Sequence, residues 1–274
     1  MIMQNSKNLQ LYFAVIILII IISGSIAASV IATHNPYEPD MLNRLQPPSL
    51  EHYFGTDALG RDMFSRILYG GRASMLLSVA AAVLSLGIGL LIGSVCGFYG
   101  GKLDLIFTSV SNIFQSIPGS CFMIAVTGIL GPSIKSLILA LVITSWAGFS
   151  RIVRAEVMQI KKETFIEGLY CIGCSDIRII TRHIFPNIFN KLLVLFTIRI
   201  GRGILAVAGL SFLGLGVQAP MPSLGSLANA ARDGLTSYPY KLIFPAVTIV
   251  LIVLAFNLLG DGLRDALDPT MKEM

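Results

Sequence analysis

Charged residues are scarce in this chain: they make up 13% of its 274 residues, where a water-soluble globule carries about a quarter. That shortage excludes a soluble domain as the main body. Hydrophobic residues at 54% and a mean hydropathy of +0.78 place the body in a membrane. Four cysteines are too few for a disulfide scaffold, and glycine has no triplet period, which excludes a collagen-like fibre. The abundance of apolar residues excludes a disordered chain. A Gly-x-x-x-x-Gly-Lys-[Ser/Thr] phosphate loop is missing. The one Gly-Lys pair, Gly101-Lys102, precedes Leu103, and Cys96 stands where the first glycine is required. The chain is therefore not itself an ATPase, and its loops are too small to form a separate catalytic domain. The net charge of +5, from 20 Lys+Arg against 15 Asp+Glu, reads first as loops facing anionic lipid rather than as a nucleic-acid surface.

What is present is a succession of apolar runs: Leu11 to Ala32, Ala73 to Phe98, Leu105 to Leu130, Ile134 to Phe149, Ile188 to Leu210 and Leu242 to Gly260. Each is long enough, or nearly so, to cross a bilayer, which takes about 20 helical residues. None alternates with period two, so a barrel is excluded and the fold class is all-α, with about six transmembrane helices. Ser25-Ile26-Ala27 resembles a cleavage site, but the first run is longer than a signal core, so it reads as a retained anchor. Gly87, Gly89 and Gly93 offer either a dimer face or internal helix packing, and Pro118 reads as a kink in the third span.

Lys and Arg set the orientation. Arg151, Arg154, Lys161, Lys162, Arg178, Arg182 and Lys191 cluster around the loop between spans four and five. With that loop in the cytoplasm, both termini are cytoplasmic as well. The chain then divides into residues 1–72, an anchor helix with an external loop, and residues 73–274, the remaining membrane body.

The loop at about 163–187 reads as two short helices joined at Gly173. Phe165, Leu169 and Ile172 recur at helical spacing in the first, with Glu163 and Glu167 on another face. Ser175 is placed to cap the second helix, Asp176 suits its positive end, and Pro186 is expected to stop it. Ile177, Ile180 and Ile184 form an apolar stripe there, opposite Arg178 and Arg182. Two readings stay open: a helix pair lying on lipid, or a knob that docks into a soluble partner.

The residues of this loop resemble a family motif. Glu167, Gly173, Arg178, His183, Pro186 and Asn187 fall where the EAA loop of bacterial ABC-importer permeases has its marked positions, although Gly168-Leu169 departs from the usual Ala-Ala pair. Gly55-Thr56-Asp57, Gly60-Arg61-Asp62 and Ser65-Arg66 are similar to a segment of the dipeptide, oligopeptide and nickel permeases. The stretches from Ser211 to Pro220 and from Ala255 to Pro269 resemble that family's second, C-type subunit. The resemblance implies a homologous permease partner, two ATP-binding cassette ATPases, a solute-binding protein outside the membrane, and a place in the bacterial cytoplasmic membrane. It further implies that ATP is used by partner subunits, with no cofactor on this chain. It makes Glu163, Glu167, Gly168, Gly173, Ser175, Asp176, Arg178, Arg182, His183 and Pro186 the ATPase-coupling residues. The substrate it implies is a peptide or nickel, free or chelated. The stretch from Val207 to Gly216 leans slightly toward nickel.

Outside the motifs, Gly55, Thr56, Asp57, Gly60, Arg61 and Asp62 read as a braced, internally paired loop. Arg199 and Arg202 lie inside the fifth span, where ionisable groups are expensive. They line a pathway, snorkel, or pair with Asp104 or Asp233. The stretch from Ser211 to Pro222 is poor helix material and reads as an external loop or re-entrant element. Cys171-x-x-Cys174 lacks a second ligand pair, His34 and His52 read as surface residues, and no metal site is expected. Cys96 and Cys121 read as buried in spans. An ion-coupled secondary transporter or channel is the alternative, though no internal repeat supports it.

Overall fold

The computed structural model describes residues 2–267. Asp268 and Pro269, the end of the carboxyl-terminal motif, lie outside the described residues. The fold is all-α: α1 (Ile2–Ile26), α2 (Ala28–Ile31), α3 (Met63–Tyr99), α4 (Gly101–Ser116), α5 (Gly119–Leu130), α6 (Ile134–Ile160), α7 (Thr164–Cys171), α8 (Asp176–Ile179), α9 (Phe185–Phe212), α10 (Leu224–Ala230) and α11 (Tyr240–Leu267). A single π-turn, Ile180–Ile184, joins α8 to α9, so Asp176–Phe212 runs as one rod.

Four of these rods are long and apolar enough to cross a bilayer: α3, α6, Asp176–Phe212 and α11. The third expected span is not a kinked helix. It is two helices, α4 and α5, bent by 85°. Pro118 explains the break. The ring of a proline disfavours the helical region for the residue before it, and Ile117 is extended at φ −89°, ψ 129°. In place of six continuous spans there are therefore four, a broken fifth, and α1, whose apolar part Leu11–Ile26 is shorter than the others. Ala14 and Leu18 of α1 are buried, and Leu11 meets Gly262 of α11. α3 begins ten residues before the expected span and passes unbroken through Arg72 and Ala73.

The glycines choose between their two readings by contact. A side chain at Gly89 would strike Phe149, one at Gly93 the Ser150 carbonyl, and one at Gly97 the Arg154 carbonyl, all on α6. This ridge of three glycines, spaced four residues apart, lets the backbones of α3 and α6 touch, which is internal packing rather than a dimer face. Gly87 meets nothing within 4 Å.

After α9 the chain turns at Gly214 (φ +80°), where Gly214 N–H donates to the Ser211 carbonyl and Leu215 N–H to the Leu210 carbonyl. It then re-enters as α10, whose Ser223 and Ser226 cap each other. Leu224 and Leu227 are buried in the core with Met63, Ile204 and Ile252, so of the two expectations for this stretch the re-entrant element is the one observed.

Candidate functional site

Three places gather the residues singled out above. The first is the turn at 163–187. α7 ends in a full glycine cap: Gly173 sits at φ +77°, its N–H donates to the Tyr170 carbonyl, and Cys174 N–H donates to the Leu169 carbonyl. Ser175 occupies the position before α8 but makes no side-chain cap. Pro186 does not stop the second helix. Having no N–H, it breaks the ordinary hydrogen-bond ladder, and the π-turn, with Phe185 N–H donating to the Ile180 carbonyl, carries the helix past it into the membrane. The 163–187 turn is thus continuous in backbone with a transmembrane rod.

The expected apolar stripes split in two. Ile166, Ile179 and Ile184 are fully buried on Phe98, Val153, Val157 and Ile188. Leu169 and Ile180 join that inner side, whereas Phe165, Ile172 (75% exposed) and Ile177 (73% exposed) face outward. A short helix shows its period in sequence but not which side has a floor beneath it. Glu163, Glu167, Gly168, Arg178, Arg182 and Pro186 are exposed around the outward patch, with Asp176 and His183 half-buried. Gly168 has open space where a Cβ would stand, so the alanine usual at that position would fit. Leu169, the other departure, contacts the bundle. Burial, and after it the Asp176 carboxylate, raises the pKa of the Tyr170 phenol.

Several cations expected on this face are tied down. Arg154 forms a two-pronged pair with Asp104, its Nη2 donating over 2.6 Å, and Lys191 meets Glu156 at 2.6 Å. Arg151 donates to the Asn112 side chain. Arg178 and Arg182 make no ion pair among the described residues.

The second place is a cavity of about 240 Å³ between α3, α5, α6 and α9, which Arg199 and Arg202 both line. Asp104 is taken by Arg154, and neither arginine has an acidic partner among the described residues, so the expected alternative of pairing with Asp104 or Asp233 fails. Arg199 lies over the Phe149 ring, 5.4 Å from its centroid, and against Gly148. The break at Pro118 brings Gly119 and Met123 of α5 to the same cavity, where Ser78, Thr144 and Ser145 supply hydroxyls. No pattern in the sequence marks those residues, because they come from three other helices.

The third place is the 33–66 loop, at the opposite end of α3 from the Phe98 that floors the 163–187 turn. A helix of 37 residues separates the two by about 55 Å. Asp57 accepts from Leu59 N–H (2.8 Å), Arg61 N–H (3.0 Å) and Arg61 Nε (2.8 Å). Arg66 lies 3.5 Å from Asp57 and donates to the Pro36 carbonyl. Thr56 Oγ1 donates to the Asn43 carbonyl and accepts from Gln46 N–H. Asp62 caps α3 through Ser65 N–H at 2.7 Å. Gly55 (φ +73°) and Gly60 (φ +76°) hold the left-handed turns, and a Cβ on Gly60 would overlap the Asp40 carbonyl. His52 is not a surface residue: it is buried, and its Nδ1 lies 3.0 Å from Asp62. Cys121 is likewise displaced from expectation, being exposed on α5, while Cys96 is buried.

Residues 89–273 match the family model described as "Binding-protein-dependent transport system inner membrane component". The dipeptide transport system permease protein DppC of Alkalihalophilus pseudofirmus is 40% identical over 98% of this chain and 88% of its own. The glutathione transport system permease protein GsiD of Escherichia coli O157:H7 is 44% identical over 94% of this chain and 86% of its own. In structure the chain is similar to the MetNI methionine ABC transporter in an inward-facing conformation (TM-score 0.62, 19% identity, 75% of this chain and 98% of that one). It is also similar to an amino acid ABC transporter (TM-score 0.58, 17% identity, 77% and 95%). The chain belongs to the family of binding-protein-dependent transport system inner membrane components, as a multi-pass permease subunit of an ABC importer.

Proposed function

We propose that this subunit forms half of a pathway for small peptides that carry a carboxylate, and that its 163–187 turn is the point at which ATPases drive it. The other half is a homologous permease, and two ATP-binding cassette subunits sit in the cytoplasm on the same side as both termini. A solute-binding protein delivers substrate to the far side, where the braced 33–66 loop holds the mouth in shape. ATP is bound by the partner subunits and not by this chain.

The observation that carries the substrate class is the Arg199 and Arg202 pair. Two guanidinium groups in mid-span, facing a cavity and lacking acidic partners among the described residues, are costly in hydrocarbon. An anionic group passing through that cavity offsets the cost. The names of the dipeptide and glutathione relatives fit such a cargo. Nickel, free or chelated, remains the other arm of the test.

R199A and R202A are expected to lower uptake of labelled dipeptide by about tenfold or more, the effect of losing about 1.4 kcal/mol of charge-assisted binding. Membrane insertion should be unchanged. Nickel accumulation, measured in the same cultures, should not move. A nickel deficit with normal dipeptide uptake reverses the substrate assignment. A lowered melting temperature with normal uptake of both makes the arginines structural.

A further inference from the structure

The chain contains three histidines, and the fold brings two of them ring to ring. The centroids of His34 and His52 are 4.5 Å apart, and the ligand-capable atoms of His34, Glu51 and His52 all lie within 4.8 Å of one another. We propose that these three side chains hold one divalent transition-metal ion in the 33–66 loop, independently of what the permease transports.

Two imidazoles and a carboxylate are the donor set that zinc, nickel and cobalt prefer, whereas magnesium and calcium take oxygen ligands. The groups behind the ring nitrogens support the same conclusion. Asp62 has a side chain with 0% exposure and no Lys or Arg partner among the described residues. Ionised, it can only accept, so His52 Nδ1–H donates to its Oδ1 at 3.0 Å and leaves Nε2 as the lone-pair nitrogen. Thr33 Oγ1 donates to the other oxygen, Oδ2, at 3.4 Å, and with its hydrogen so used it accepts from His34 Nδ1 at 3.0 Å. His34 Nε2 is then also left as an acceptor. One buried carboxylate therefore sets the tautomer of both histidines, directly and through a hydroxyl, as second partners do for metal-bound imidazoles. A buried carboxylate without a cationic partner is itself costly, and a metal ion on the two rings supplies the compensating charge. The site opens into a cavity of about 250 Å³, which gives an ion a way in.

The ion would pin the exit of α2 to the 51–52 turn, and Asp62, hydrogen-bonded behind the two rings, ties both to the N-cap of α3. The test uses the whole transporter in lipid nanodiscs, stripped with a chelator and then titrated with Zn²⁺ or Ni²⁺ against a chromophoric competitor. Wild type should retain one more equivalent per copy of this chain than H34A or E51Q does. Each of these variants, both at exposed positions, should weaken that site by about tenfold or more. H52Q should also weaken it, but His52 is buried, so the two exposed variants decide. Mg²⁺ at millimolar concentration should not compete. Equal retention by wild type, H34A and E51Q, or no retention above the stripped baseline in any of them, overturns the proposal.

Discussion

Replacing Ile172 and Ile177 together by glutamate is expected to reduce ATP-driven uptake by at least about tenfold while leaving membrane insertion and thermal stability unchanged. Both side chains are about three-quarters exposed, so the bundle does not need them. Exposed apolar side chains in a rim of Glu163, Glu167, Arg178 and Arg182 have the anatomy of a docking surface, in which a few buried anchors carry most of the energy. The matched control is I179E. Ile179 is fully buried on the same turn, and a charge there has no partner, so that variant should fail to fold. Uptake assays paired with quantified membrane levels separate the outcomes. Normal uptake in the I172E/I177E variant would remove the outward patch from the coupling surface. G173P should also abolish coupling, because proline cannot reach φ +77° and would lose the N–H bond to Tyr170.

G93L should cost the chain its stability outright. A Cβ at position 93 already falls 2.5 Å from the Ser150 carbonyl and 2.8 Å from the Val153 side chain. Neither contact is the tip of a flexible side chain, so α3 and α6 must separate along their length. Overpacking costs roughly 1–3 kcal/mol where a core can adjust, and more where backbone is struck. G87L on the same helix meets nothing within 4 Å and should be neutral. Melting temperatures of the two purified variants give the comparison. Equal values would mean that the glycine ridge is not what holds these helices together.

The permease is a transport component rather than an enzyme, and much of that was legible in sequence because membrane physics constrains so few variables. Run length alone marked α3, α6, α9 and α11. The turn between the two short helices of 163–187 showed itself in Gly173. What sequence left open depended on neighbours. Pro118 and Pro186 look alike as helix breakers, yet one breaks a span by 85° and the other is absorbed by a π-turn, according to what packs around each. The stripe at Phe165, Leu169 and Ile172 was visible as a period, but part of the floor beneath it, Phe98, comes from α3, more than sixty residues earlier in the chain. His34 and His52 meet because Asp62, at the start of α3, draws both toward itself. No local pattern encodes that.

Subunit composition and energy source together decide what drives transport through this chain. The chain is to be purified from native membranes, its partners identified, and the complex placed in proteoliposomes. The expected result is an ATP-binding cassette subunit that co-purifies with the wild-type chain, is lost from the I172E/I177E variant, and is required, with ATP, for uptake. Substrate movement by this chain alone, driven by an ion gradient and indifferent to ATP, would contradict it.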